Sequence, residues 1–214
     1  MQQIISIEGN IGVGKSSFID ILETNYSCEV VPEPVNLWLN IKDNNNKNIL
    51  QTFYDDKTRW GYTFQNVACI TRMMMIEETI RNSKSEYIFL DRSLGTDKNV
   101  FELMLYESGN INSLEHNLYN LWINFYNNYV RKDIMNKIIY LQSTPEICSE
   151  RIKIRGRSEE KDISIDYLNK LHEYHENWLN NKENVLILDC NQDFIKNIDY
   201  QKYLIELVNQ FIKL

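Results

Sequence analysis

Proline is scarce in this chain, three in 214 residues, and two of the three bracket a single glutamate, Pro32-Glu33-Pro34. Glycine is scarce too, seven in all, yet Gly9, Gly12 and Gly14 fall close together near the start. A chain with so few breakers is built from regular elements, and each cluster of breakers marks backbone with a particular task. The four cysteines (Cys28, Cys69, Cys148, Cys190) show no C-x-x-C spacing. That excludes a thiolate metal site and a disulfide framework, and reads as buried or semi-buried thiols in a reducing compartment. There is no dense Lys/Arg block, and the formal net charge is −7 with a pI near 5.1. A nucleic-acid polymer is thereby excluded as a ligand, because its binding rests on neutralising phosphates. No apolar run nears the roughly 18 residues of a membrane span, and with an apolar strand expected directly at the start, no targeting peptide is expected. A cytosolic protein of one α/β domain, residues 1–214, is expected.

What is present is dominated by Gly9-Asn10-Ile11-Gly12-Val13-Gly14-Lys15-Ser16, which fits G-x-x-x-x-G-K-[ST]. It follows Ile4-Ile5-Ser6-Ile7 and leads through Ser17 into Phe18-Ile19-Asp20-Ile21-Leu22, so the context is strand, glycine turn, helix. Glycines let successive N–H groups curl toward phosphate oxygens at the positive end of a helix dipole. Lys15 brings a mobile cation to the terminal phosphates of a nucleoside triphosphate, ATP being the expected donor, and the Ser16 hydroxyl suits Mg²⁺.

Beyond the loop, apolar runs at 28–31, 87–90, 137–141 and 185–188 read as further strands. Helices are expected at about 15–25, 60–80, 95–106, 113–131, 145–155, 165–180 and 200–211, with Gly156 as a left-handed cap and a polar loop at 43–48. Strands alternating with helices imply a P-loop NTPase-type three-layer sandwich: a five-stranded parallel sheet covered by helices on both faces.

Strand ends deliver polar groups to one edge of such a sheet. Glu33 follows the second strand, held extended by its proline neighbours. Asp91-Arg92-Ser93 follows the third; such a pair is by itself usually structural, but beside a phosphate loop it suits phosphoryl transfer, with Asp91 and Ser16 as metal candidates. Arg151, Arg155 and Arg157 flank Gly156 in a segment, about 151–162, that suits a lid over the triphosphate. His172 and His175, three apart on a helix with no third ligand in sight, read as solvated surface.

These residues, in this order, resemble the deoxyribonucleoside kinases of the deoxycytidine, deoxyguanosine and animal thymidine kinase type. The matching stretches are Ile7 to Ser16, Pro32-Glu33-Pro34-Val35 with Trp38, Tyr62-Thr63-Phe64-Gln65, Asp91-Arg92-Ser93, Ile139 to Glu146, and Arg151 to Glu160, covering about residues 4–180. The resemblance implies Glu33 as general base toward the substrate 5′-hydroxyl, with Arg92 pairing to it and to the reacting oxygen. It implies Gln65 as reader of the base edge, Trp38, Phe64 and Phe101 as walls of the base slot, and Tyr54 with Glu160 as the grip on the 3′-hydroxyl. Where the family more often has Glu, this chain has Asp91. Ala68, Arg72 and Asp97 match positions where members preferring deoxycytidine or purine deoxynucleosides carry Arg and Asp, and thymidine-preferring members are apolar at the latter two. The family also implies a homodimer formed through long helices, here about 60–80 and 113–131. Two alternatives stay open: a nucleoside monophosphate kinase of thymidylate type, and a non-catalytic protein of the same fold.

Overall fold

Apolar runs of Ile, Val, Leu and Phe without polar alternation are what strands buried on both faces require, and the computed structural model forms strands at each of them. It describes residues 2–131, 137–156 and 163–213. In chain order the elements are β1 (Gln3–Glu8), α1 (Lys15–Asn25), β2 (Cys28–Val31), α2 (Val35–Asn40), α3 (Ile49–Asp55), α4 (Lys57–Asn82) and β3 (Tyr87–Asp91). Next come α5 (Leu94–Thr96), a π-helical segment (Asp97–Glu102), α6 (Leu103–Glu107), α7 (Ser113–Phe125) and a second π-helical segment (Tyr126–Val130). The chain then forms β4 (Lys137–Gln142), α8 (Pro145–Arg155), α9 (Ile165–Leu179), β5 (Val185–Asp189) and α10 (Ile198–Lys213).

The chain divides into two compact units, one drawn from residues 1–30, 84–92 and 135–214, the other from 31–83 and 93–134. The first holds the sheet, in the order β2-β3-β1-β4-β5. β1 pairs in parallel with β3 (Ile5 opposite Phe89, Ile7 opposite Asp91) and with β4 (Ile7 opposite Ile139), and β4 pairs in parallel with β5. The chain fills one side of β1 before crossing to the other, so the end of β1 is the topological switch point, where open α/β sheets bind ligands. Ile5, Ile7, Phe89, Ile139 and Leu141 are fully buried there with Phe18 and Leu22 of α1 and Leu204 and Val208 of α10.

The second unit is helical. Its core sets Trp38 of α2 and Ile49 and Phe53 of α3 against Phe64 and Ala68 of α4. Asn48 and Gln51 form a capping box at the start of α3, and Asn112 with Glu115 forms another at α7, each satisfying first-turn N–H groups that no helical carbonyl reaches. Two features lie outside the sequence expectation. The short helices α2 and α3 flank the expected polar loop, and each of the two helices expected at 95–106 and 113–131 contains a π-helical stretch. Among the described residues no helix is long and apolar enough to cross a membrane.

Candidate active site

In the first unit, β1 ends at Glu8 and the backbone turns through Gly9 (φ 146°), Gly12 (φ 81°) and Gly14 (φ 108°), the last being the N-cap of α1. Side chains are excluded for a second reason as well. A Cβ built on Gly9 would stand 2.6 Å from the Leu141 carbonyl oxygen, and one on Gly12 would stand 2.5 Å from that of Cys148. Lys15 folds back over the turn, and its Nζ donates to the carbonyl oxygens of Gly9 and Asn10, both at 3.0 Å. Asn10 ties the loop in two directions: its Oδ1 accepts from the Ile11 N–H at 2.8 Å, and its Nδ2 donates to the Leu168 carbonyl of α9 at 2.9 Å. At the start of α1 the dipole is positive and the first N–H groups lack helical partners, which is what an anion needs. Val13 is buried and Ser16 is exposed in that first turn, with Ser17 beside it.

Arg151 of α8 reaches the loop itself. Its Nη1 donates to the Val13 carbonyl at 2.9 Å and its Nη2 to that of Gln192 at 3.3 Å, so here the guanidinium braces the cradle. Arg155 lies exposed one turn further on, and α8 ends, as expected, on a left-handed Gly156 (φ 66°). Arg157 and Glu160 fall outside the described residues, and with them the second half of the expected lid.

Asp91 ends β3 opposite Ile7, two residues before Gly9. Arg92 follows with φ 64°, a left-handed conformation that costs a non-glycine residue about 1–3 kcal/mol and that clusters at functional sites. Its N–H donates to the Ile7 carbonyl at 3.1 Å and its side chain is buried. For a magnesium ion, Ser16 and Asp91 are hard oxygen donors of the right kind, a small protein contribution that leaves coordination positions for water and phosphate. No group of three or more His, Cys, Asp or Glu suited to holding a metal occurs among the described residues.

His175 corrects the expectation of a solvated surface. It is fully buried, its Nδ1 lies 2.6 Å from the Leu171 carbonyl, and its ring stacks on Tyr140 with centroids 5.9 Å apart. Burial, aided by the positive charges of Arg92 and Lys15, pushes its pKa down to about 3. It is therefore a neutral ring near the cradle at physiological pH.

In the second unit, Gln65, Ala68 and Arg72 fall three and four residues apart on one face of α4, all buried. Arg72 is only 2% exposed. Its Nε donates to Asp97 Oδ2 at 2.9 Å, its Nη2 to Asp97 Oδ1 at 3.3 Å, and the same Nη2 lies 3.3 Å from Glu33 Oε1. One guanidinium thus joins the proposed proton acceptor to the residue expected to face the base. Gln65 is 3% exposed, and its Oε1 has no hydrogen-bond partner. A buried amide oxygen left so is costly until something donates to it.

The aromatic residues pack nearby. Phe64 meets the edge of Trp38 (centroids 5.3 Å) and stacks on Phe53 (4.7 Å), and Trp38 is fixed by its indole N–H donating to Thr71 Oγ1 at 2.9 Å. Phe53 is absent from the sequence reading; its only signal was an aromatic residue in an unassigned stretch. Tyr54 is exposed at the end of α3, and Phe101 is half-buried on the first π-helical segment.

With that geometry in place, the comparisons with known proteins are specific. The family described as deoxynucleoside kinase matches residues 5–213. The chain is 38% identical to deoxycytidine kinase 2 of Gallus gallus, covering 97% of this chain and 89% of that protein. It is also 38% identical to deoxycytidine kinase of Homo sapiens (97% and 90%) and 36% identical to a mitochondrial deoxyguanosine kinase of Xenopus laevis (90% and 83%).

Proposed function

Since the chain belongs to the deoxynucleoside kinase family and is a phosphotransferase using a nucleoside triphosphate donor, we propose that it moves the γ-phosphate of ATP to the 5′-hydroxyl of deoxycytidine or a purine deoxynucleoside in preference to thymidine. The observation that carries this preference is the buried Arg72–Asp97 fork on the same helical unit as the unsatisfied amide of Gln65. Together they offer donors and an acceptor to an amino-bearing base edge and little apolar room for a thymine methyl. That the relatives named above are deoxycytidine and deoxyguanosine kinases supports that reading.

In this assignment the loop N–H groups and Lys15 hold the triphosphate, and Arg151, with Arg155 and Arg157, supplies cations on its outer side. Ser16 and Asp91 hold Mg²⁺, which when bound neutralises charge on the phosphates. Glu33 takes the proton of the 5′-hydroxyl and Arg92 steadies the reacting oxygen. Trp38, Phe64 and Phe101 enclose the base beside Ala68, and Tyr54 with Glu160 grips the 3′-hydroxyl. The Glu33 carboxylate argues against a substrate already carrying phosphate, which it would repel.

A homodimer is proposed on the apolar faces of α4 and α7. Ile70 and Met74 on α4, and Leu114, Leu121, Trp122 and Phe125 on α7, are large apolar side chains left exposed, and exposed apolar side chains gathered on one surface mark an interaction site. Free thiols at all four cysteines suit the cytosol, the proposed compartment.

The test is kcat/KM across the four natural deoxynucleosides. The expected order puts thymidine last; a thymidine value equal to or above the others overturns the preference.

A further inference from the structure

The π-helical segment that carries Asp97 and Phe101 ends on Glu102, whose carboxylate is fully buried. A charge removed from water needs a partner or loses its ionisation. The partner is His116 on α7, with Nδ1 2.9 Å from Oε1 and 3.1 Å from Oε2. The imidazole is held on its other sides as well. Its face stacks on Tyr106, centroids 4.1 Å apart and planes 11° from parallel. Its Nε2 lies 3.1 Å from Asn120 Nδ2, which also donates to the His116 carbonyl at 2.9 Å. With that amide donating, Nε2 is the acceptor and the proton sits on Nδ1, pointing at Glu102. Tyr106 in turn packs against the Trp38, Phe53 and Phe64 cluster.

We propose that Glu102 and His116 form a positioning pair for the nucleoside pocket, clamping the π-helical segment to α7 and so fixing where Asp97 and Phe101 stand relative to the aromatic cluster. The pair governs affinity for the nucleoside, not the rate of phosphoryl transfer. It rests on the assignment of Asp97 and Phe101 to the base slot given above. A π-helical stretch is rare, and it occurs mostly as a single turn set within an α-helix, frequently at a functional site. An apolar contact would serve as a clamp; a carboxylate with an imidazole adds a dependence on one proton.

Besides His116, the titratable groups that bear on Glu102 are Lys98 on its own segment and Tyr119 on α7. Burial raises the Glu102 pKa against the opposing pull of His116 and Lys98. A raised carboxyl pKa penalises the folded arrangement as pH climbs. The clamp therefore loosens toward the alkaline side.

The experiment measures kcat and nucleoside KM from about pH 6 to about pH 9 for the unaltered chain, Glu102→Gln, His116→Ala and His116→Gln. Expected are a KM that climbs toward alkaline pH in the unaltered chain and a flat KM in the isosteric, uncharged Glu102→Gln. His116→Ala should raise KM by about fivefold to tenfold with kcat within about twofold, and His116→Gln, which keeps a donor for Glu102, should recover most of that loss. If His116→Ala fails to fold, the pH profile of Glu102→Gln decides. A KM unchanged in the histidine variants, a pH profile unchanged in Glu102→Gln, or a loss falling equally on kcat, overturns the pair. An unaltered chain that makes no monophosphate from deoxynucleoside and ATP removes the kinase reading, and this inference with it; a working enzyme with indifferent variants removes the inference alone.

Discussion

In the first unit the candidate phosphate site is made of main chain: three left-handed glycines, the N–H groups opening α1, and a lysine folded onto two carbonyl oxygens. In the second unit the candidate nucleoside site is made of side chains on separate elements, with Gln65 and Arg72 on α4, Asp97 and Phe101 on a π-helical segment, and Glu33 after β2. Phosphate is the same in every nucleotide, so a rigid, side-chain-free cradle can serve it. A base edge has to be discriminated, and discrimination needs buried donors and acceptors whose mismatch is costly. The difference teaches that substitutions in the two units should fail differently: steric damage in the first, electrostatic damage in the second.

The largest expected effect sharpens the contrast between holding phosphate and doing chemistry. Glu33→Gln should lower kcat by about 10²–10⁴ while KM moves only a few-fold, measured by steady-state turnover. Unchanged turnover would take Glu33 out of the base role and leave catalysis to the cradle alone. Next is Gly12→Ala, whose new methyl meets the Cys148 carbonyl at 2.5 Å in a left-handed backbone. The KM for ATP should rise by about tenfold or more, with nucleoside binding, followed by calorimetry, little affected.

On the other side, Arg72→Met strands Asp97 in the interior and should cost about 3–5 kcal/mol in denaturant unfolding. Arg72→Met combined with Asp97→Ala should recover much of that stability and shift relative kcat/KM toward thymidine. A double variant no more stable than the single one would show that Asp97 is satisfied without Arg72.

A smaller effect belongs to His175. Its folded pKa, near 3, lies below the ordinary value of 6.5, so the unfolded chain binds the proton first. The stability it contributes is complete above about pH 6.5 and is lost as pH falls toward 3, by up to about 1.4 kcal/mol per unit. His175→Phe, which keeps a ring against Tyr140, should flatten that acid limb in thermal melts taken at successive pH values.

The two units also differed in how far they could be read from residues alone. The cradle was legible because its requirements are local: glycine spacing, a lysine and a flanking apolar strand lie within sixteen residues. The central strands β1, β3 and β4 were legible because parallel strands buried on both faces are continuous apolar runs. The nucleoside cluster was legible only through resemblance, since nothing in spacing says that Arg72 meets Asp97, 25 positions further along the chain. The helices α2 and α3, six and seven residues long, are too short for periodicity to declare them. His175 misled because a polar residue on an amphipathic helix is ordinarily at the surface; its burial depends on Tyr140 and the Leu171 carbonyl, which are tertiary facts.

The strand order has a consequence for how the chain becomes a protein. β1 lies between β3 and β4, whose sequences begin at residues 87 and 137. During synthesis β1 emerges ahead of both, and it must wait, an unpaired ribbon carrying Ile4, Ile5 and Ile7, until the ribosome has delivered them. Closing contacts that far apart is intrinsically slow and exposes sticky surface meanwhile. The glycine turn, made before both of those strands, is thus among the last parts of the sheet unit to acquire its final shape, and chaperone demand on this chain should peak while residues between β3 and β4 are being translated.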